Sequence, residues 1–130
     1  MPKSTLMVLS LLFVGGCKDN VVTVQPSPAV FRVDLQYQFF DDSVLVAVDS
    51  RMVFSGRVTT NNSISLAKSI SVDATTGQHN VLVQVVDPYR GTQKSTTVSV
   101  TDTLTVAVIL DERSRTLYFY IYPFLIPYNR

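Results

Sequence analysis

The chain has 130 residues, of which 46% are hydrophobic and 16% charged, and its formal net charge is +1. That length fits one domain, and the composition is too apolar for a disordered chain and too neutral for an electrostatic footprint on nucleic acid or anionic lipid. The single cysteine, Cys17, rules out an internal disulfide.

The first segment reads as a targeting signal. Lys3 supplies a positive start, residues 6–14 (Leu-Met-Val-Leu-Ser-Leu-Leu-Phe-Val) form a short apolar run, and Gly15, Gly16 and Cys17 follow. This order of charge, apolar run and small residues is that of a secretory signal. The run is about half the ~20 residues that a membrane-spanning helix needs. Val14-Gly15-Gly16-Cys17 resembles the lipobox of bacterial lipoproteins, although Ala, Ser or Thr is commoner where Gly15 stands. The resemblance covers roughly the first twenty residues. It implies a diacylglyceryl (and usually palmitate-like acyl) modification at Cys17 and removal of residues 1–16. Two or three acyl chains would then hold the domain at a membrane, since one chain alone anchors only marginally. Lys18 after the cysteine, in place of the Asp that favours inner-membrane retention in enterobacterial lipoproteins, leans the expectation toward the outer membrane of a bacterial cell envelope. Without Lys3 the mature chain carries ten basic and ten acidic residues.

Residues 17–29 read as the lipidated cysteine and a tether, with Pro26 and Pro28 stiffening it as a semi-extended spacer. From residue 30 the hydrophobic period is two, which marks half-buried antiparallel strands. Phe31, Val33, Leu35, Tyr37 and Phe39 alternate with Arg32, Asp34, Gln36 and Gln38, and Val44, Val46 and Val48 form the next row. Residues 53–60 form a third strand, with Gly56 as its bulge. Residues 64–72 alternate more weakly because Lys68 interrupts the row, and Thr75-Thr76-Gly77-Gln78 is a turn. Residues 79–86 are a β-branched core strand, followed by the turn-rich Asp87-Pro88-Tyr89-Arg90-Gly91. Thr96, Val98 and Val100, then residues 104–110, give two further strands. The last carries Leu117, Phe119 and Ile121 on one side and Tyr118, Tyr120 and Tyr122 on the other, before Pro123 and Pro127 limit further pairing. The reading is an all-β, antiparallel two-sheet β-sandwich of about eight strands over residues 30–130, Ig-like or jelly-roll-like in general architecture. Its expected core is Phe31, Val33, Leu35, Val46, Val48, Val81, Val83, Val106, Val108, Leu117 and Phe119.

The sequence offers little for catalysis. His79 is the only histidine and starts a strand, where pairing is its ordinary role; no Gly-x-Ser-x-Gly elbow accompanies it, and Cys17 is committed to the anchor. No His/Cys spacing suggests zinc, and no cofactor is expected. Acidic residues sit at turns, where Asp is common; Asp41-Asp42 is the pair closest to a calcium ligand set, without the spacing of a calcium loop.

Val46-Ala47-Val48-Asp49, Val53-Phe54-Ser55-Gly56 and Gly77-Gln78-His79-Asn80-Val81-Leu82-Val83 are similar to the strand pattern of small immunoglobulin-like and carbohydrate-binding β-sandwich modules. The resemblance spans about forty residues, has low specificity and carries over no ligand residues. The remaining functional signal is aromatic. Tyr118, Tyr120 and Tyr122 on the last strand, with Tyr89 in a loop, combine flat apolar surface with a hydroxyl, which suits a protein interface or sugar stacking. The alternative is that these rings are structural and covered, with the apolar residues 123–130 as the nearest cover. The expectation is therefore a non-enzymatic, lipid-anchored envelope module for protein interaction, adhesion or assembly, with carbohydrate binding at the membrane surface as the second reading and no role with nucleic acid.

Overall fold

The computed structural model describes residues 26–128; the signal, Cys17 and most of the tether lie outside them. The strands are β1 (Pro28–Leu35), β2 (Asp42–Val48), β3 (Arg51–Val58), β4 (Lys68–Thr75), β5 (Gly77–Val85), β6 (Thr92–Val100), β7 (Thr103–Asp111) and β8 (Thr116–Tyr122). They form two four-stranded sheets, β4-β1-β7-β8 and β3-β2-β5-β6, packed as a sandwich. All pairings are antiparallel except that of β1 with β7. Residue spacing alone does not reveal that parallel pair, because it joins segments as far apart as Val30 and Thr103. It places β1 inside its sheet, where Phe31, Val33 and Leu35 are sealed from both sides.

The alternation does what it implies. Phe31, Val33, Leu35, Val46, Val48, Val81, Val83, Val106, Val108 and Leu117 are all buried, and Phe119 packs partly buried against them. Full burial of one such side chain stabilises by roughly 1.5–3 kcal/mol relative to exposure. Two members of the expected rows depart from it. Tyr37 is exposed, because β1 ends at Leu35 and Gln38 adopts a left-handed φ of 65° that turns the chain toward the other sheet and drops Phe39 into the core instead. Ile121 is on the inner side of β8 yet exposed, because β8 is an edge strand and no strand lies beyond it.

Three boundaries also shift. β1 starts at Pro28, inside the span read as tether. The bulge in β3 falls at Val53, where the register against β2 slips between Val46 and Ala47; Gly56 lies in regular strand. There it leaves room for the Phe54 ring, whose nearest atom would stand 3.2 Å from an added Cβ. Residues 64–67 are loop, held by a bridge between Asn61 and Leu66, and the strand begins at Lys68 itself.

Both lateral edges of the sandwich carry a lysine from an inward-pointing position. Lys68 pairs with inward-facing Leu35, and its ammonium lies 5.5 Å from the centre of the Phe54 ring. Lys94 pairs with inward-facing Val83 and lies 5.7 Å from the ring centre of Tyr118 and 5.8 Å from that of Phe119. A charge at the mouth of each edge, stabilised by aromatic faces, disfavours addition of another strand there.

Candidate functional site

Strand directions divide the molecule into two ends. β1 starts at the lower end, together with the short turns at residues 49–50, Thr76 and residues 101–102. The long connections, residues 36–41, 59–67 and 86–91, and the β7–β8 turn gather at the upper end. Chain entry and long loops are therefore opposed.

At the upper end Arg115 is the organising residue. Its side chain is mostly buried and reaches Asp42 Oδ1 (3.3 Å), Glu112 Oε1 (3.4 Å) and the carbonyl of Arg90 (3.1 Å), so it joins three connections. Arg90 returns a bond to the Glu112 carbonyl at 3.0 Å. Thr60 ties the connection 59–67 to 36–41 by donating to the Gln36 carbonyl and accepting from the Phe39 amide. Gln38, Asp41, Ser65 and Arg115, all with positive φ, lie in these upper loops. Such residues carry a steric cost that the surrounding bonds must offset. Asp41 and Asp42 are each engaged by an arginine, Arg57 and Arg115 respectively. Phe40 stands 76% exposed beside Asn62 and Glu112 in an open cleft of this end.

The tyrosines occupy the outer face of the β4-β1-β7-β8 sheet. Tyr118, Tyr120 and Tyr122 lie opposite Ile109, Ala107 and Thr105 on that face. Tyr118 and Tyr120 are 41% and 48% exposed, whereas Tyr122 is half-buried with its ring 5.6 Å from that of Phe124. Tyr89 is 92% exposed, on the loop that Arg90 and Arg115 tie to the turn before β8. The structure thus brings the three β8 tyrosines into one column and sets Tyr89 on a loop at its upper end.

Residues 123–128 do fold back, but over the centre of the sheet and not over the tyrosine column. Thr105 Oγ1 donates to the Phe124 carbonyl (2.7 Å), and Arg32 Nη2 donates to the Ile126 carbonyl (2.6 Å). Beneath them Asp34 is fully buried. Its carboxylate accepts two bonds from Arg32 at 2.8 Å, one from Ser69 Oγ at 2.6 Å and one from Tyr128 Oη at 2.7 Å. Burial, then the bond to Asp34, pushes the Tyr128 hydroxyl up to about 12 against the pull of Gln36 and Arg32, so it remains a donor at neutral pH. Among the described residues no buried side-chain polar atom lacks a partner. Alternation within β1 puts Asp34 on a solvated face; it cannot register this cover, which arrives from the far end of the chain.

His79 sits at the lower end, its Nδ1 2.6 Å from Asp49 Oδ2 and its Nε2 2.6 Å from the Thr75 carbonyl. Two acceptors suit an imidazolium and leave neither nitrogen for a nucleophile. The bond to Asp49 raises the His79 pKa above 6.5, opposed by burial and aided by the Thr75 carbonyl. The same bond, with the Asn80 amide, lowers that of Asp49 below 3.8. A raised histidine value gives stability that is complete below the unfolded value of 6.5 and is lost as pH rises through the folded value. Lowered Asp49 adds stability present above 3.8 and lost as pH falls through its folded value. The expected result is a melting temperature that declines above neutral pH in the wild type but not in His79→Gln. Imidazole proton resonances that titrate at or below 6.5 would contradict it.

No family model, curated protein or solved structure matches the chain.

Proposed function

We propose that the mature chain is a lipid-anchored envelope module that binds another envelope protein through the β8 tyrosine face, as an interaction, adhesion or assembly unit and not as an enzyme. The observation that carries this reading is the exposed pair Tyr118 and Tyr120, left open by a segment that crosses the same sheet beside them. Large rings kept at a surface invite association, and tyrosine is favoured where an apolar face must also meet water. The lipobox-like run at Cys17 supports envelope anchorage, and the opposition of chain entry and long loops would turn the Tyr118 end away from the membrane.

Carbohydrate binding is the second reading. The exposed Phe40 ring beside Asn62 and Glu112 favours it, since a sugar offers an apolar face with hydroxyls at its rim. The double substitution Tyr118→Ser with Tyr120→Ser tests the first reading. Site-specific photocrosslinking from position 120 in intact envelopes should give one discrete protein adduct, and the double variant should lose that partner in co-purification. Its stability should change by no more than about 1 kcal/mol, the range for exposed substitutions plus one surface cation–π contact from Lys94. Larger destabilisation would make the rings structural. Retention of envelope glycans by the double variant and their loss in Phe40→Ala would favour the sugar reading.

A further inference from the structure

Below the tyrosine pair, the same outer face carries a second exposed group that the partner surface does not use. Val30 on β1 is 50% exposed, Phe124 50% and Leu125 39%. The bond from Thr105 to the Phe124 carbonyl fixes the height of Phe124 on the sheet, and Thr105 lies level with Arg32, one outward position above Val30. The three apolar side chains thus lie on the lower half of the sheet, near where the chain enters β1. Ser27 fixes that entry: its amide donates to Thr76 Oγ1 and its carbonyl accepts from the Thr76 amide.

We infer that this lower patch rests on the membrane surface to which Cys17 anchors the chain, with Phe124 and Leu125 in the headgroup region. The inference rests on the lipid-anchor reading of Cys17. Chain length supports it: eight residues separate Cys17 from Pro26. Even fully extended they span about 30 Å, little more than the length of one strand of this sandwich. The tether therefore keeps the lower end within about 30 Å of the bilayer and lets it reach the surface, while the upper loops stand one strand length further along the chain's entry. Chemistry supports a lipid surface in particular. Ring and aliphatic side chains at the edge of a fold insert favourably at the interface, and the balanced charge of the mature chain makes anionic lipid unnecessary. Arg32, the nearest cation on this face, is already committed to Asp34 and Ile126.

The chain contains no tryptophan, so Phe124→Trp supplies a single reporter at an exposed position, and Tyr89→Trp supplies its counterpart at the upper end. Each mature lipoprotein variant is reconstituted in phosphatidylcholine vesicles containing lipids brominated near the headgroup. The Phe124→Trp protein should lose most of its indole emission and shift to the blue, while the Tyr89→Trp protein keeps its emission. Equal emission from the two variants in protein that floats with the vesicles overturns the membrane contact. Blue-shifted but unquenched emission from Phe124→Trp also overturns it and assigns the patch to a second copy of the chain. Failure to float removes the lipid-anchor reading instead. The Cys17 thiol is then coupled to a maleimide lipid, and quenching of the indole at position 124 in that arm supports the patch as its absence overturns it.

Discussion

Asp34→Ala is expected to destabilise the domain by about 3 kcal/mol, the scale of breaking a buried ion pair from one side. Asp34 has no contact with solvent and accepts four hydrogen bonds. Removing its carboxylate leaves the Arg32 guanidinium without a counter-charge under residues 123–128, and leaves Tyr128 Oη and Ser69 Oγ without their acceptor. Arg32 keeps some access to water, which holds the loss near the lower end of that scale. Because Arg32 and Tyr128 both hold the crossing segment, the variant should also release it. Amide exchange in residues 123–128 should accelerate more than in β5 or β7. Tyr128→Phe removes two bonds, the one its hydroxyl donates to Asp34 and the one it accepts from Gln36 Nε2, and leaves the ion pair, so its cost should be about 2 kcal/mol, roughly that of two hydrogen bonds. Urea unfolding of the three proteins checks the order. Equal stability of Asp34→Ala and wild type would mean that the segment is held by its apolar contacts alone.

Cys17→Ser should abolish lipid attachment while leaving the fold intact. Oxygen at this position offers no thiol for diacylglyceryl transfer, and processing of a lipoprotein signal follows that transfer. The variant should therefore retain residues 1–16 or appear in the soluble fraction. The domain from β1 onward contains no other cysteine, and its core among the described residues is built from residues 31–117, so its circular dichroism and melting temperature should match the wild type. Partner crosslinking from position 120 should fall with the lost localisation, even though the tyrosine face itself is unchanged. This separates Cys17, which would act through placement, from Tyr118 and Tyr120, which would act through contact.

Most of the fold was legible because its sheets bury one face. Period-two rows such as Phe31-Val33-Leu35 and Val44-Val46-Val48 fix which side chains turn inward, and a register slip by one residue would expose the whole row. What sequence could not supply was pairing between distant segments. The parallel β1–β7 ladder and the seat of Tyr128 on Asp34 both join residues far apart in the chain. Tyr37 and Ile121 show the converse limit. Each continues an alternation correctly by spacing, but one lies beyond a bend and the other at an edge, so neither is buried. For the candidate site, spacing put Tyr118 and Tyr120 on the outer face. It could not show that residues 123–128 would pass beside them, nor that Arg115 would gather Asp42, Glu112 and Arg90 at the upper end. Phe40 carried no periodic signal, because it lies in a connection and not in a strand.

The most direct test of the central reading is the mass of the membrane-extracted protein and of its first proteolytic peptide. A lipid-anchored envelope module requires a peptide that begins at Cys17, lacks residues 1–16, and carries the added mass of a diacylglyceryl group with or without an amide-linked acyl chain. A mature protein whose cysteine is unmodified, recovered from the membrane or from the soluble fraction, would contradict it.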